Sequence, residues 1–206
     1  MKASRLVYVV DDEPEMVKAL ARLLRARGYR VSGFTSALEF LGHARHRGPA
    51  CLLLDVAMPE MDGLQVQEVL RQRGDDIPVI FLSGHGDIPM SVRAIKAGAE
   101  DFLTKPVNAA DLLRTVQRAL QRASDLHAER EDLAILQERL ALLTPREREV
   151  LGHVVVGKMN KQIAMELGTG EQNIKVHRGR MMRKMEAGSI VELVRMAERL
   201  GILPAR

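Results

Sequence analysis

The chain predicts a doubly wound α/β domain followed by a smaller all-α domain. Three observations carry that expectation. Short apolar runs at residues 6–10, 51–54, 79–82 and 102–103 alternate with helical patterns, as buried parallel strands do. At or just past the end of each run stands a group with chemistry to offer: Asp11-Asp12, Asp55, Ser83 and Lys105. After about residue 123 no strand pattern recurs, and short helical stretches are broken by turn residues instead.

Helical candidates in the first part are 15–26, 38–43, 64–72, 90–97 and 109–123. Alternating with five strands, they build a sheet covered on both faces. Gly28, Gly48, Gly74 and Gly98 fall where those helices should end. In the second part, turn residues stand at Thr144-Pro145, Gly157, Gly168-Thr169-Gly170 and Gly188, giving a compact helical domain of about 60 residues. The predicted division is therefore 1–123, a helical linker at 124–142, and 143–206.

The linker contains neither proline nor glycine, and Leu126, Leu133 and Leu140 recur every seven residues. Leu136 and Leu143 fill a second position of the same register, while Glu129 interrupts it. Two readings stay open: a short coiled coil between two copies of the chain, or leucines packing on neighbouring domains. The helix beginning at Ala109 has no break before Leu143.

Composition narrows the class. The 206 residues are 46% hydrophobic, enough for ordinary cores. No apolar run approaches the roughly 18 residues of a membrane span. Met1-Lys2-Ala3-Ser4-Arg5 leads straight into a strand, so no signal peptide is expected. The single cysteine, Cys51, lies in an apolar strand and reads as a buried thiol. Together these predict a cytoplasmic protein with no membrane association.

Strand-end groups in such a sheet converge on one rim, where ligands bind. Three carboxylates, a hydroxyl and an ammonium suit a magnesium ion and a phosphoryl group. A carboxylate is a workable nucleophile toward phosphorus, but attacker and target are both negative. A cation held by Asp11 and Asp12 offsets that repulsion, Lys105 meets one phosphate oxygen, and Ser83 donates to another. Pro106 shapes the turn that aims Lys105. A plainer reading exists for Asp12, which could cap the helix starting near Pro14.

The residues 9–13 (Val-Val-Asp-Asp-Glu), 54–63 (Leu-Asp-Val-Ala-Met-Pro-Glu-Met-Asp-Gly), 82–87 (Leu-Ser-Gly-His-Gly-Asp) and 101–106 (Asp-Phe-Leu-Thr-Lys-Pro) closely resemble the receiver domain of bacterial two-component response regulators. The resemblance implies a flavodoxin-like, five-stranded parallel sheet. It implies that Asp55 accepts a phosphoryl group from a sensor histidine kinase. Magnesium would be held by Asp11, Asp12, Asp55 and the carbonyl of Ala57, with Lys105 on the phosphate. It makes Ser83 and Phe102 the switch pair, the hydroxyl moving toward the phosphate and the ring turning inward behind it. Phe102 stands where tyrosine is common in the family. His85 has two readings, a solvent-exposed loop residue or a group that tunes the lifetime of the phosphate.

Charge is uneven. The net charge is +4, yet residues 158–184 hold seven basic residues against two acidic ones, and the linker is acidic. A concentrated basic patch is the electrostatic footprint of phosphate-backbone binding. Beneath it, residues 160–167 and 171–185 form two helical patterns around Gly168-Thr169-Gly170, a helix-turn-helix arrangement whose second helix enters the major groove. Ile163, Ala164, Leu167, Ile174, His177, Met181 and Met185 fall inward. Thr144 and Glu147 fit a capping box around Pro145.

Residues 143–151, 160–164 and 175–178 resemble the LuxR-type helix-turn-helix, and receiver plus this domain is the layout of NarL/FixJ-class regulators. The resemblance puts Lys175, Val176 and Gly179 at base edges and Lys161, Arg178, Arg180 and Arg183 at phosphates. The last helix, 190–200, carries Val191, Leu193, Val194, Ala197 and Leu200 on an apolar stripe. The expected protein is a non-enzymatic transcription factor, a homodimer when phosphorylated, with a sensor histidine kinase and double-stranded DNA as partners. Two rivals differ in kind: a constitutive dimer governed by a partner or ligand, and a magnesium-dependent phosphatase.

Overall fold

The computed structural model describes residues 5–44, 46, 48–84 and 88–202. The chain divides into two compact units, Met1–His127 and Ala128–Arg206.

In the first unit β1 (Leu6–Val10), β2 (Arg30–Phe34), β3 (Ala50–Asp55), β4 (Val79–Ser83) and β5 (Asp101–Thr104) form one sheet in the order β2-β1-β3-β4-β5. Every pairing is parallel. The chain alternates these strands with α1 (Pro14–Arg25), α2 (Ala37–Gly42), α3 (Gly63–Gln72), α4 (Ile88–Lys96) and α5 (Ala109–Ala141).

Strands β1, β3 and β4 are buried along their whole length, because helices cover both faces. Their side chains alternate between two cores. Tyr8, Val10, Leu52, Leu54 and Phe81 meet Phe40, Val66 and Leu70 on one face. Val7, Val9, Leu53, Ile80 and Leu82 meet Leu20 and Leu24 of α1 and Leu112, Val116 and Leu120 of α5 on the other, with Cys51 among them. Burial pushes the Cys51 thiol far up, which keeps it protonated and inert.

Strand β2 is the one without an apolar run. It lies at the sheet edge, and Arg30-Val31-Ser32-Gly33-Phe34 buries only Phe34. An edge strand pairs on one side only and tolerates polar residues.

Helix α1 corrects one expectation. Its N-cap is Glu13, without a side-chain cap, and Pro14 opens the helix. The nearby carboxylate that accepts a backbone N–H is Asp11, from Glu13 at 3.0 Å; Asp12 caps nothing among the described contacts. Helix α3, by contrast, begins with a capping box between Asp62 and Gln65.

Helix α5 runs unbroken for 33 residues, through the segment read as a linker. Leu140 and Leu143 pack into the core of the second unit. Leu136 is buried, whereas Ile135 and Leu142 are exposed.

That second unit continues with α6 (Pro145–Val155), α7 (Asn160–Glu166), α8 (Glu171–Met185) and α9 (Ile190–Arg199). Thr144 and Glu147 form the expected capping box at α6. Val150, Leu151, Val154, Ile163, Ile174, Met181, Met185 and Leu193 make the core. Glu147 is nearly buried and pairs with Lys184 at 2.7 Å. Lys184 also donates to the carbonyl of Leu142. Arg139, from the end of α5, pairs with Glu186 just past α8. The apolar stripe of α9 is narrower than expected: Leu193 and Ala197 are buried, but Val191 is exposed. Among the described residues no helix is long and apolar enough to cross a membrane.

Candidate functional site

The parallel sheet brings its chemistry to one rim. Asp55 and Ser83 are the last residues of β3 and β4, and Asp11 and Lys105 directly follow β1 and β5. The sheet order reverses between β1 and β3, so a crevice opens above that point.

Lys105 lies between two acids. Its Nζ is 2.7 Å from Asp11 Oδ2 and 3.0 Å from Asp55 Oδ1. Asp11 is fully buried and Asp55 nearly so, which makes an uncompensated charge there costly. Burial pushes the Asp55 carboxyl above its ordinary value, against the opposing pull of Lys105. Burial also disfavours the charge on Lys105, but its hydrogen bonds to Asp11 and Asp55 outweigh this and hold its pKa above the ordinary lysine value. The Lys105 N–H donates to the carbonyl of Ser83 at 2.7 Å, tying the end of β4 to the loop after β5. The Lys105–Pro106 peptide is cis.

Asp11, Asp12 and Asp55 each offer a carboxylate oxygen within 4.8 Å of the others. An all-oxygen, carboxylate-rich set suits a hard divalent cation such as magnesium. The three carboxylates also outnumber the one ammonium, leaving charge for a cation to offset. A cleft of about 430 Å³ opens beside them, lined by Asp12, Asp55, Ala57, Ser83, Met90 and Lys105. That is room for a phosphoryl group. Phe102 is half-buried, its ring 6.5 Å from that of Phe81. His85 lies outside the described residues.

Gly63 is a site residue that motif reading passed over. A Cβ there would come within 2.5 Å of the Asp55 carbonyl and 2.9 Å of the Phe81 ring. The Gly63 N–H donates to the carbonyl of Val56, folding the loop after β3 tightly against Asp55. The Asp-Gly pair at 62–63 was the signal, cap and close approach in adjacent positions.

In the second unit, α7 and α8 meet around Gly168, which has φ +62°. The Thr169 N–H donates to the carbonyl of Ala164, and the Asn173 side chain donates to the Thr169 hydroxyl. On α8, Ile174, Met181 and Met185 point inward. Lys175, Val176, Gly179, Arg180 and Arg183 are exposed, and at 3.6 residues per turn they share the opposite face. Arg178 is half-buried and spends one donor on Asn160 Oδ1 at 3.0 Å. Lys161 is exposed on α7. His177 is half-buried, consistent with a packed structural role.

A model of the response regulator receiver domain matches residues 7–117, and one of bacterial regulatory proteins of the luxR family matches residues 141–197. The response regulator protein TodT of Pseudomonas putida is 46% identical over 195 residues, covering 95% of this chain and 86% of that one. The chain belongs to the response regulators. The transcriptional regulatory protein FixJ of Azorhizobium caulinodans is 39% identical over 205 residues, covering 100% of this chain and 97% of the other. The solved structure of the response regulator StyR, 43% identical, superposes with a TM-score of 0.85 over 96% of this response regulator and 100% of StyR. The two-unit fold is thus that of a two-component response regulator of the NarL/FixJ class, with a receiver and a LuxR-type DNA-binding domain in one chain.

Proposed function

We propose that this response regulator is a transcription factor switched by phosphorylation of Asp55. The observation that supports it most is the pairing of Asp55 with Lys105 at 3.0 Å inside a carboxylate cluster that faces an open cleft. In this reading residues 1–123 are the receiver, 124–142 the linker and 143–206 the DNA-binding domain.

An Oδ atom of Asp55 attacks the phosphorus carried by a sensor histidine kinase. The new O–P bond forms as the bond to the kinase's histidine nitrogen breaks. Asp11, Asp12, Asp55 and the Ala57 carbonyl would hold magnesium, which supplies charge neutralisation for two anions in contact. Lys105 gives its ammonium to a phosphate oxygen, so its present bonds to Asp11 and Asp55 must rearrange. The Ser83 hydroxyl donates to another oxygen. Phe102 follows Ser83 inward and repacks the face of α4 and β5. A local charge of about −2 thereby biases a packed element with two arrangements.

The repacked face pairs two receivers, and the two DNA-binding domains gain from effective concentration on a two-half-site operator. Lys175, Val176 and Gly179 meet base edges. Lys161, Arg178, Arg180 and Arg183 meet phosphates.

Light scattering of the full chain tests the switch, first with magnesium and then with magnesium plus beryllofluoride as a mimic of the phosphorylated aspartate. A change from monomer to dimer is expected. A dimer under both conditions would assign assembly to a constitutive interface and remove phosphorylation as its driver.

A further inference from the structure

The side chains of α8 separate into two sets. Arg178 and Lys184 are engaged inside the domain, the first by Asn160 and the second by Glu147 and the Leu142 carbonyl. Gln172, Lys175, Arg180 and Arg183 are exposed and have no polar partner among the described residues. At 3.6 residues per turn, Gln172, Gly179 and Arg183 follow one line along the helix, directly opposite the buried Ile174, Met181 and Met185. Lys175 and Val176 flank that line.

Gln172 occupies the outermost, N-terminal end of the line, in the first turn of α8. A recognition helix meets base edges chiefly through its N-terminal residues. Arg183, in the last turn, is the residue of this line that the proposed DNA-binding role assigns to a phosphate. Neighbouring side chains leave Gln172 free: Asn173, the next polar residue, is turned back onto Thr169 at 3.1 Å. Nothing stands within 4 Å of where a Gly179 side chain would begin, so no bulk keeps the helix off the groove floor.

The chemistry of an unpartnered primary amide in a major groove is specific. Its oxygen accepts from adenine N6 and its nitrogen donates to adenine N7, a bidentate match that other bases do not offer in the same arrangement. We propose that Gln172 is a specificity-determining residue that reads an adenine in each half-site, beside the base met by Lys175. The inference rests on the DNA-binding role proposed for α8.

The test is selection of DNA from a pool of randomised duplexes by the full-length protein with magnesium and beryllofluoride, followed by sequencing. Wild type is compared with Gln172→Ala, Gln172→Glu and Lys175→Ala. Gln172 is exposed, so these variants keep the fold. Expected is one A·T position per half-site whose preference falls about tenfold in Gln172→Ala. In Gln172→Glu that same position changes toward cytosine, whose N4 amine a carboxylate accepts from. Lys175→Ala must flatten a different position. An unchanged profile in both Gln172 variants overturns the assignment. So does a uniform loss of affinity across all sequences, which marks a phosphate contact. Wild type that selects no DNA at all overturns the DNA-binding role itself, a separate and recognisable failure.

Discussion

Replacing Gly63 by alanine should unfold the receiver early, and the size of the effect follows from three distances. The added methyl would lie 2.5 Å from the Asp55 carbonyl oxygen, 2.9 Å from the Phe81 ring and 3.1 Å from the Val56 Cα. Relaxed carbon contacts need about 3.5–4.0 Å, so roughly 1 Å must be found. Two of the three neighbours are backbone and cannot rotate away, and Phe81 is fully buried. Overpacking of a tight core costs about 1–3 kcal/mol, and the immovable neighbours place this case near 3 kcal/mol. For a domain of this size that lowers the melting midpoint by roughly 10 °C. Both tyrosines, Tyr8 and Tyr29, lie in the first unit, and the chain has no tryptophan. Tyrosine fluorescence therefore follows the receiver alone during a thermal scan. Because the clash falls on Asp55 itself, phosphoryl incorporation should drop along with the midpoint. A Gly63→Ala protein melting within about 2 °C of wild type would refute the packing argument.

Three further outcomes follow from the second unit. Gly179→Ala should stabilise α8 by about 1 kcal/mol, since the position is helical and open, and a far-UV melt showing a loss of stability would contradict the open space around it. Lys184, aided by Thr144, holds the Glu147 carboxyl below the usual carboxylate range. A depressed folded value gives stability that is present above the unfolded pKa and lost as pH falls through the folded one; acid melts of the second unit should therefore steepen below about pH 4.5, and Glu147→Gln should flatten that limb. Arg183→Ala should lower affinity for all DNA sequences and reduce the slope of log affinity against log salt by about one, while Arg178→Ala, which also breaks the bond to Asn160, should in addition lower the melting midpoint; an unchanged salt slope for both would remove them as phosphate contacts.

Much of the rim was legible in the sequence because parallel strands buried on both faces must be apolar, so Asp11, Asp55, Ser83 and Lys105 stand out as the residues that end each run. Strand β2 escaped the same logic: an edge position relaxes the demand, and Arg30 and Ser32 hide it. The helix-turn-helix was readable from Gly168 and the inward Ile163, Ile174 and Met181, whose spacing the core requires. Long-range pairings were not readable. Arg178 with Asn160 and Lys184 with Glu147 join residues 18 and 37 apart in the chain, and no local pattern distinguishes them from basic residues free to meet DNA. Gln172 was invisible for the complementary reason, since a polar helix residue gains meaning only when its exposed face and lack of partners are known. The alternative reading of Asp12 as a helix cap fell once Glu13 proved to be the N-cap of α1, with no side chain capping it. The leucines at the end of the linker pattern found their place once the core was known: Leu140 and Leu143 serve the second unit, and Leu136 is buried.

The central claim is that Asp55 is the phosphoryl acceptor, and intact-mass and peptide mass spectrometry after incubation with acetyl phosphate and magnesium tests it most directly. The account predicts a single phosphoryl group on the peptide containing Asp55, none without magnesium, and none in Asp55→Ala. Equal incorporation in Asp55→Ala and wild type, or a phosphoryl group mapped elsewhere, would contradict it.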